Sequence, residues 1–213
     1  MNTVPMAEKN DLLFPLWRFD RLRMATDGWG VTTLVGAHGC PLACRYCINP
    51  ECREAGEKVT FVTPVELYEL VKRDDLYFRA TNGGVTFGGG EPLLHAAFLA
   101  RFRETVPSEW RIYAETSLYV PEKCVKTAAG CIDHFFVDVK DLSSDIYNRY
   151  TSGDVRKVLS NLETLLSAAG SDRITVRLPL IPGYNGEEDR ERSAERLRSM
   201  GFTRIDPVSY IVR

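Results

Sequence analysis

Val85–His95 reads VTFGGGEPLLH: a short β-branched and aromatic run, three glycines, then a Glu-Pro pair opening an apolar helical pattern. A brief apolar run bounded by glycine reads as a buried strand. Proline at the start of a helix supplies its fixed φ where no N–H is needed. Three glycines between the two leave the backbone open to close approach by a ligand. Strand, tight loop and helix together make one βα unit.

The unit recurs along the chain. Strands are expected at Val31–Val35, Val85–Phe87, Arg111–Glu115, Phe135–Val139, Thr175–Leu180 and Ile205–Tyr210. Helices are expected between them. Thr63–Asp74 opens on a threonine cap followed by proline. Pro92–Val106 follows the second strand. Val155–Gly170 carries Val158, Leu162, Leu165 and Leu166 on one face and ends at a glycine. Glu187–Gly201 runs from acidic to basic, in the sense the helix dipole favours. This alternation predicts an α/β fold with a mostly parallel sheet. Six units fall short of the eight that close a barrel, so an open partial (β/α)6 barrel is expected. Residues 1–213 read as a single domain, with a loosely attached leader at 1–17. In such sheets ligands sit at the carboxyl ends of the strands. The unusual polar groups fall there, namely a cysteine loop after strand one, GGGEP after strand two, Glu115–Thr116 ending strand three and Asp138–Lys140 ending strand four.

The 27 basic and 29 acidic residues leave a net charge of −2, which gives no footprint for nucleic acid or an anionic membrane. No apolar run approaches the ~18 residues of a membrane span. The first twelve residues carry no basic region followed by an apolar core, so no secretory signal is expected. The expected compartment is the cytoplasm, where clustered cysteines read as metal-binding or catalytic rather than as disulfides.

Gly39–Asn49 reads GCPLACRYCIN and places Cys40, Cys44 and Cys47 in a C-x3-C-x2-C pattern. Structural zinc sites close with four ligands, usually in paired C-x2-C units, and no such partner follows. Iron–sulfur clusters also usually take four cysteines. A cluster held by three leaves one iron open to an outside ligand. A zinc knuckle and incidental thiols are the alternatives. Glu91, after the glycine run, can accept hydrogen bonds from an ammonium group. Asp138 and Lys140 are two apart on a strand and share a face. Buried inside a barrel such a pair is costly unless it is used; at a solvated strand end it is an ordinary salt bridge. Arg177 lies in an apolar strand and needs an anionic partner.

The cysteine spacing, with Tyr46 before the third cysteine and Asn49 two after it, resembles the radical S-adenosylmethionine (radical SAM) superfamily. The wider run resembles its glycyl-radical-enzyme activases, pyruvate formate-lyase activating enzyme above all. That likeness takes in Asp27-Gly28 and Gly30, Gly89-Gly90-Glu91, Glu115-Thr116, Asp138-x-Lys140, Arg177 and Pro182-Gly183. The resemblance implies an iron-containing oxidoreductase of anaerobic metabolism with one [4Fe–4S] cluster on Cys40, Cys44 and Cys47. It implies S-adenosyl-L-methionine as second cofactor, cleaved by one electron to methionine and a 5′-deoxyadenosyl radical. Tyr46, Asn49, Gly89, Gly90, Glu91, Glu115, Thr116, Asp138, Lys140 and Arg177 would bind it, with Asp138 and Lys140 lining the catalytic centre. Glu115, Thr116 and Asp138 would hold a monovalent cation. The substrate would be a glycine Cα–H on a partner glycyl-radical enzyme, and flavodoxin or ferredoxin the reductant.

Several positions depart from that pattern. The turn reads DGWG, with Trp29 where proline is common, Glu115 replaces an aspartate, and Tyr210 is followed by Ile211 rather than histidine. These leave the cofactor machinery intact and the partner open. A radical enzyme of the same core acting on a small molecule or peptide is the second reading, and a non-catalytic iron–sulfur or zinc module the third. Cys52 is alone between the loop and GGGEP, which argues for a single cluster; it reads as inert or as a fourth resting ligand. Cys124 and Cys131 read as core thiols.

Overall fold

The computed structural model describes residues 12–24, 27–54 and 58–209. Its strands are β1 (Phe14–Met24), β2 (Val31–Ala37), β3 (Thr60–Val62), β4 (Gly84–Gly89), β5 (Arg111–Thr116), β6 (His134–Asp138), β7 (Ile174–Leu180) and β8 (Ile205–Ser209). They form one sheet in the order β3-β1-β2-β4-β5-β6-β7-β8. The six expected strands, β2 and β4 to β8, pair in parallel with one another in that order. The first and last strands of the order do not pair with one another, so the sheet is an open α/β half-barrel. Tyr210, the expected end of the last strand, lies outside the described residues.

Two strands are additional. β1 runs antiparallel to both β2 and β3 and extends one edge of the sheet. This corrects the reading of residues 14–17 as loosely attached: Phe14 is fully buried and meets Phe87 edge-on at 5.5 Å. Residues 1–11 lie outside the described part. The sequence conceals β1 because Pro15 and four charged residues break its alternation, and the strand slips register twice, the second time around Leu22, which takes a φ of 55°.

The helices are α1 (Pro64–Val71), α2 (Asp75–Thr81), α3 (Ala96–Thr105), α4 (Glu122–Ala129), α5 (Ser144–Thr151), α6 (Val155–Ala169) and α7 (Glu187–Met200). α1 starts at a capping box in which Thr63 and Glu66 satisfy each other's backbone N–H groups. α6 buries Val158, Leu162 and Leu165, and its Asn161 amide donates to the Leu118 and Val120 carbonyls at 2.7 and 2.8 Å. α7 ends at Gly201 in the left-handed region. α4 carries Cys124, with Cys131 just beyond; both are buried free thiols. No helix among the described residues is long and apolar enough to cross a membrane.

One face of the parallel strands packs Val85, Phe87, Ala114, Phe135, Val137 and Val176 into the main apolar core. Strand alternation turns Tyr113, Glu115, His134, Phe136 and Arg177 to the opposite, concave face. Trp29 floors that face: its ring centroid lies 4.5 Å from His134, 5.8 Å from Tyr113 and 5.9 Å from Phe136. His134 is buried, and its Nε2 lies 2.9 Å from the Thr175 hydroxyl. Burial, with Arg204 and Arg173 adding to it, pushes its pKa down to about 4.

A histidine depressed in the folded state binds its proton preferentially when unfolded. Its contribution to stability is therefore complete above the ordinary histidine range and is lost as pH falls from about 6.5 towards 4. Chemical denaturation is expected to show a loss of roughly 1–2 kcal/mol between pH 7.5 and pH 5 from this group. His134→Gln removes that increment of the pH dependence; an unchanged pH profile in the variant excludes His134 as its source.

Candidate active site

At the carboxyl end of the sheet the loop after β2 and the loop after β4 are bonded to each other. The Gly90 N–H donates to the Ala37 carbonyl and the Glu91 N–H to the Gly39 carbonyl, both at 2.9 Å. The approach leaves no room for a side chain, since a Cβ on Gly90 would lie 2.2 Å from the Gly39 oxygen. Gly89 adds a φ of 85°, which glycine adopts without strain. The Asn49 amide donates to the Gly89 carbonyl at 3.3 Å. The cysteine loop is also hung from the last turn of α5, where Ala43 and Arg45 N–H groups donate to the Thr151 and Tyr150 carbonyls.

These loops enclose a cleft. Cys40, Cys44 and Cys47 line it beside Asn49, Gly89 and Gly90. Glu115, Thr116, Asp138 and Lys140 line it from the ends of β5 and β6. Ten expected site residues, drawn from four loops, thus meet in one place. Lys140 is buried and its Nζ lies 3.5 Å from Asp138 Oδ2, while Asp138 keeps a third of its side chain exposed. Leu42, Ile48 and Ser117 line the cleft as well and were not expected. Two are apolar, and Ser117 extends the Glu115-Thr116 pair by one residue, which was the available signal.

Three expected residues stand elsewhere. Tyr46 packs outside the cleft, against Tyr184 at 5.7 Å and Tyr150 at 6.2 Å. Arg177 lies on the concave face, bonded to Glu115 at 2.7 Å and stacked 4.6 Å over Phe136. Glu91 is fully buried; its carboxylate accepts from the Thr116 hydroxyl at 2.7 Å, the Ser117 N–H at 2.9 Å, the Ser117 hydroxyl at 2.6 Å and the Leu93 N–H at 3.2 Å. Four donors leave it a strut between the two loops. The cation ligands are similarly engaged, Glu115 with Arg177 and the Thr116 hydroxyl with Glu91 and the Leu118 N–H.

The donor set fits an iron–sulfur cluster. Burial raises the Cys40 thiol to about 12 and raises Cys44 as well, with Lys140 pulling Cys44 back. Thiolates so desolvated form when a cation takes up their charge. Among the described residues no three His, Cys, Asp or Glu side chains are gathered tightly enough for a single metal ion. Cys52 is buried and does not line the cleft; burial raises its thiol to about 11, and its carbonyl accepts from the Gly39 N–H at 2.6 Å.

A family model described as the radical SAM superfamily matches residues 34–204. The chain belongs to the radical SAM superfamily. Membership brings a [4Fe–4S] cluster and S-adenosylmethionine as its cofactors. A (2S)-3-sulfopropanediol dehydratase activating enzyme of Klebsiella oxytoca is 33% identical over 222 positions, covering 76% of this chain and 69% of that protein. A pyruvate formate-lyase-activating enzyme of Staphylococcus aureus is 29% identical over 180 positions, covering 76% and 67%. The 222 positions spanning the same share of this chain mean that the Klebsiella protein carries insertions the radical SAM chain here lacks. In fold it is similar to SuiB of Streptococcus suis bound to S-adenosylmethionine, with a TM-score of 0.59 at 12% identity over 84% of this chain and 38% of that one.

Glu91→Ala strands four donors inside the protein and is expected to cost roughly 2–4 kcal/mol of stability. Thermal unfolding without cofactors measures it. A carboxylate serving only to bind the cofactor would leave that unfolding unchanged.

Proposed function

We propose that this radical SAM protein is a glycyl-radical-enzyme activase with one cluster. The observation that carries the reading is 33% identity, over three quarters of the chain, to an enzyme named for activating a dehydratase. When bound, the cluster would supply the one electron for reductive cleavage of S-adenosylmethionine, the chemistry by which a hydrogen would be taken from a glycine Cα of the partner. The chain's own residues hold and shield that chemistry. Cys40, Cys44 and Cys47 bind the cluster. The backbone of Gly89 and Gly90 and the side chains of Asn49 and Ser117 border the space for the ligand's amino and carboxylate groups. Lys140, fixed by Asp138, places a buried positive charge beside the thiolates and lowers the cost of Cys44 ionising. Thr116 takes its part through Glu91, by fixing the cleft wall.

Glu115 and Arg177 form a neutral pair beneath the cleft, where Arg177 can exchange one carboxylate for another. A monovalent cation beside the ligand's carboxylate would be held by Glu115, Thr116 and Asp138, which within the chain also bond to Arg177, Glu91 and Lys140 respectively. The partner is a large glycyl-radical enzyme, the electron donor a flavodoxin or ferredoxin, and the compartment the cytoplasm, where thiols stay reduced.

Anaerobic reconstitution with iron and sulfide, followed by reduction in the presence of S-adenosylmethionine, is expected to yield 5′-deoxyadenosine. Mixing with the partner is expected to produce a glycyl radical visible by electron paramagnetic resonance. Cys47→Ala should abolish cluster absorbance and turnover together, and Lys140→Met should lower turnover by roughly tenfold or more. Turnover without a glycyl radical on any glycyl-radical enzyme tried would move the assignment to a small-molecule or peptide substrate. A loaded, reduced cluster with no cleavage would reject both.

A further inference from the structure

Tyr147 of α5 lies beneath the cysteine loop and takes no part in the site described above. It is 1% exposed, and its hydroxyl oxygen is buried with no group in hydrogen-bonding geometry to it among the described residues. A buried hydroxyl left alone is costly, and its presence in a native fold points to a group that completes it.

The surroundings indicate where that group lies. Cys44 is flanked by Ala43 and Arg45, whose N–H groups are bonded to the Thr151 and Tyr150 carbonyls. Those carbonyls form the last turn of α5, and Tyr147 sits one turn before it. Leu42 and the Tyr147 ring close on the same point at Gly153: a Cβ there would lie 2.7 Å from Leu42 Cδ2 and 3.1 Å from Tyr147 Cε1. The ring is therefore wedged under the segment that carries Cys44. The charges that reach its hydroxyl are first that of Cys44 and then that of Lys140, both of which line the cleft. A tyrosine hydroxyl carries its proton at neutral pH and is therefore available as a donor.

We infer that the Tyr147 hydroxyl donates a hydrogen bond to the Cys44 thiolate when that sulfur holds iron. It is a positioning residue, acting on the cluster through its ligand. A donor to a ligating sulfur offsets negative charge, favours the reduced cluster and raises its reduction potential. Glycine at 153 is part of the device, since a side chain there would push the ring and Leu42 apart. The inference rests on the assignment of the loop as the cluster site.

Tyr147→Phe keeps the ring and removes the oxygen alone. Wild type and variant are reconstituted anaerobically, assayed for iron and sulfide, and titrated with redox mediators while the reduced cluster is followed by electron paramagnetic resonance. The variant is expected to load the same iron and, without cluster, to unfold at the same temperature as wild type or higher. At the potential where half the wild-type cluster is reduced, its reduced-to-oxidised ratio should fall roughly threefold or more. 3-Fluorotyrosine at position 147, a stronger donor, should move the ratio the other way and serves if the phenylalanine variant does not fold. Titration curves that coincide with wild type overturn the inference, as does a variant whose only change is lower stability of the cluster-free protein. A wild-type chain that loads no cluster overturns both the inference and the assignment of the loop; a loaded wild type with an unresponsive variant overturns the inference alone.

Discussion

The carboxyl end of this sheet depends on one buried carboxylate. Glu91 caps the turn that starts at Pro92, and it holds the two residues that end β5 and begin the following loop. Its N–H binds the carbonyl of Gly39 at the start of the cysteine loop. Three chain segments far apart in sequence are thereby fixed around a single side chain. Burial raises the pKa of Glu91, and the four hydrogen bonds oppose that. Its net position reflects a group for which desolvation is large and hydrogen bonding is the compensation. A side chain in such surroundings has little freedom to follow a ligand, and the task of contacting one passes to the backbone around it.

The same desolvation governs the thiols. Cys40 and Cys44 sit where an uncompensated anion is unfavourable, and at Cys44 the positive charges of Lys140 and Arg53 offset part of that cost. The site is thus balanced for a cationic guest rather than for free thiolates. Lys140 in turn is tied to Asp138, which faces the cleft from the end of β6. The pair that reads from sequence as two residues on one strand face proves to be half buried, half open, with the cation inside and the carboxylate towards the mouth.

Much of this was legible in the chain. The six parallel strands announce themselves as apolar runs each followed by glycine, proline or a helical pattern. C-x3-C-x2-C and GGGEP stand at strand ends, so topology alone brings them together. What was hidden has physical reasons. β1 is a half-exposed antiparallel strand with a proline and a bulge, and its pattern belongs to neither period. Glu91 as a strut could not be told from Glu91 as a ligand contact, because both uses require the same residue at the same place; only the positions of Thr116 and Ser117 distinguish them. Tyr46 has the residue type of a ring that covers a ligand, yet Tyr150 and Tyr184, more than a hundred residues on, draw it to the outer side of the loop. Arg177 requires an anion, and the sequence does not say that Glu115, two strands away, is that anion.

The cysteine loop is held by the Thr151, Tyr150 and Cys52 carbonyls and by the glycine loop, and none of these bonds involves sulfur. Small zinc domains lose their fold with their metal; here the backbone of the loop is braced by hydrogen bonds that do not pass through the thiols. Oxygen damage to the inorganic centre is then an injury to a replaceable part. These bonds offset part of the ordering entropy of the three ligands, so reloading the site with iron, sulfide and electrons would start from a backbone already braced.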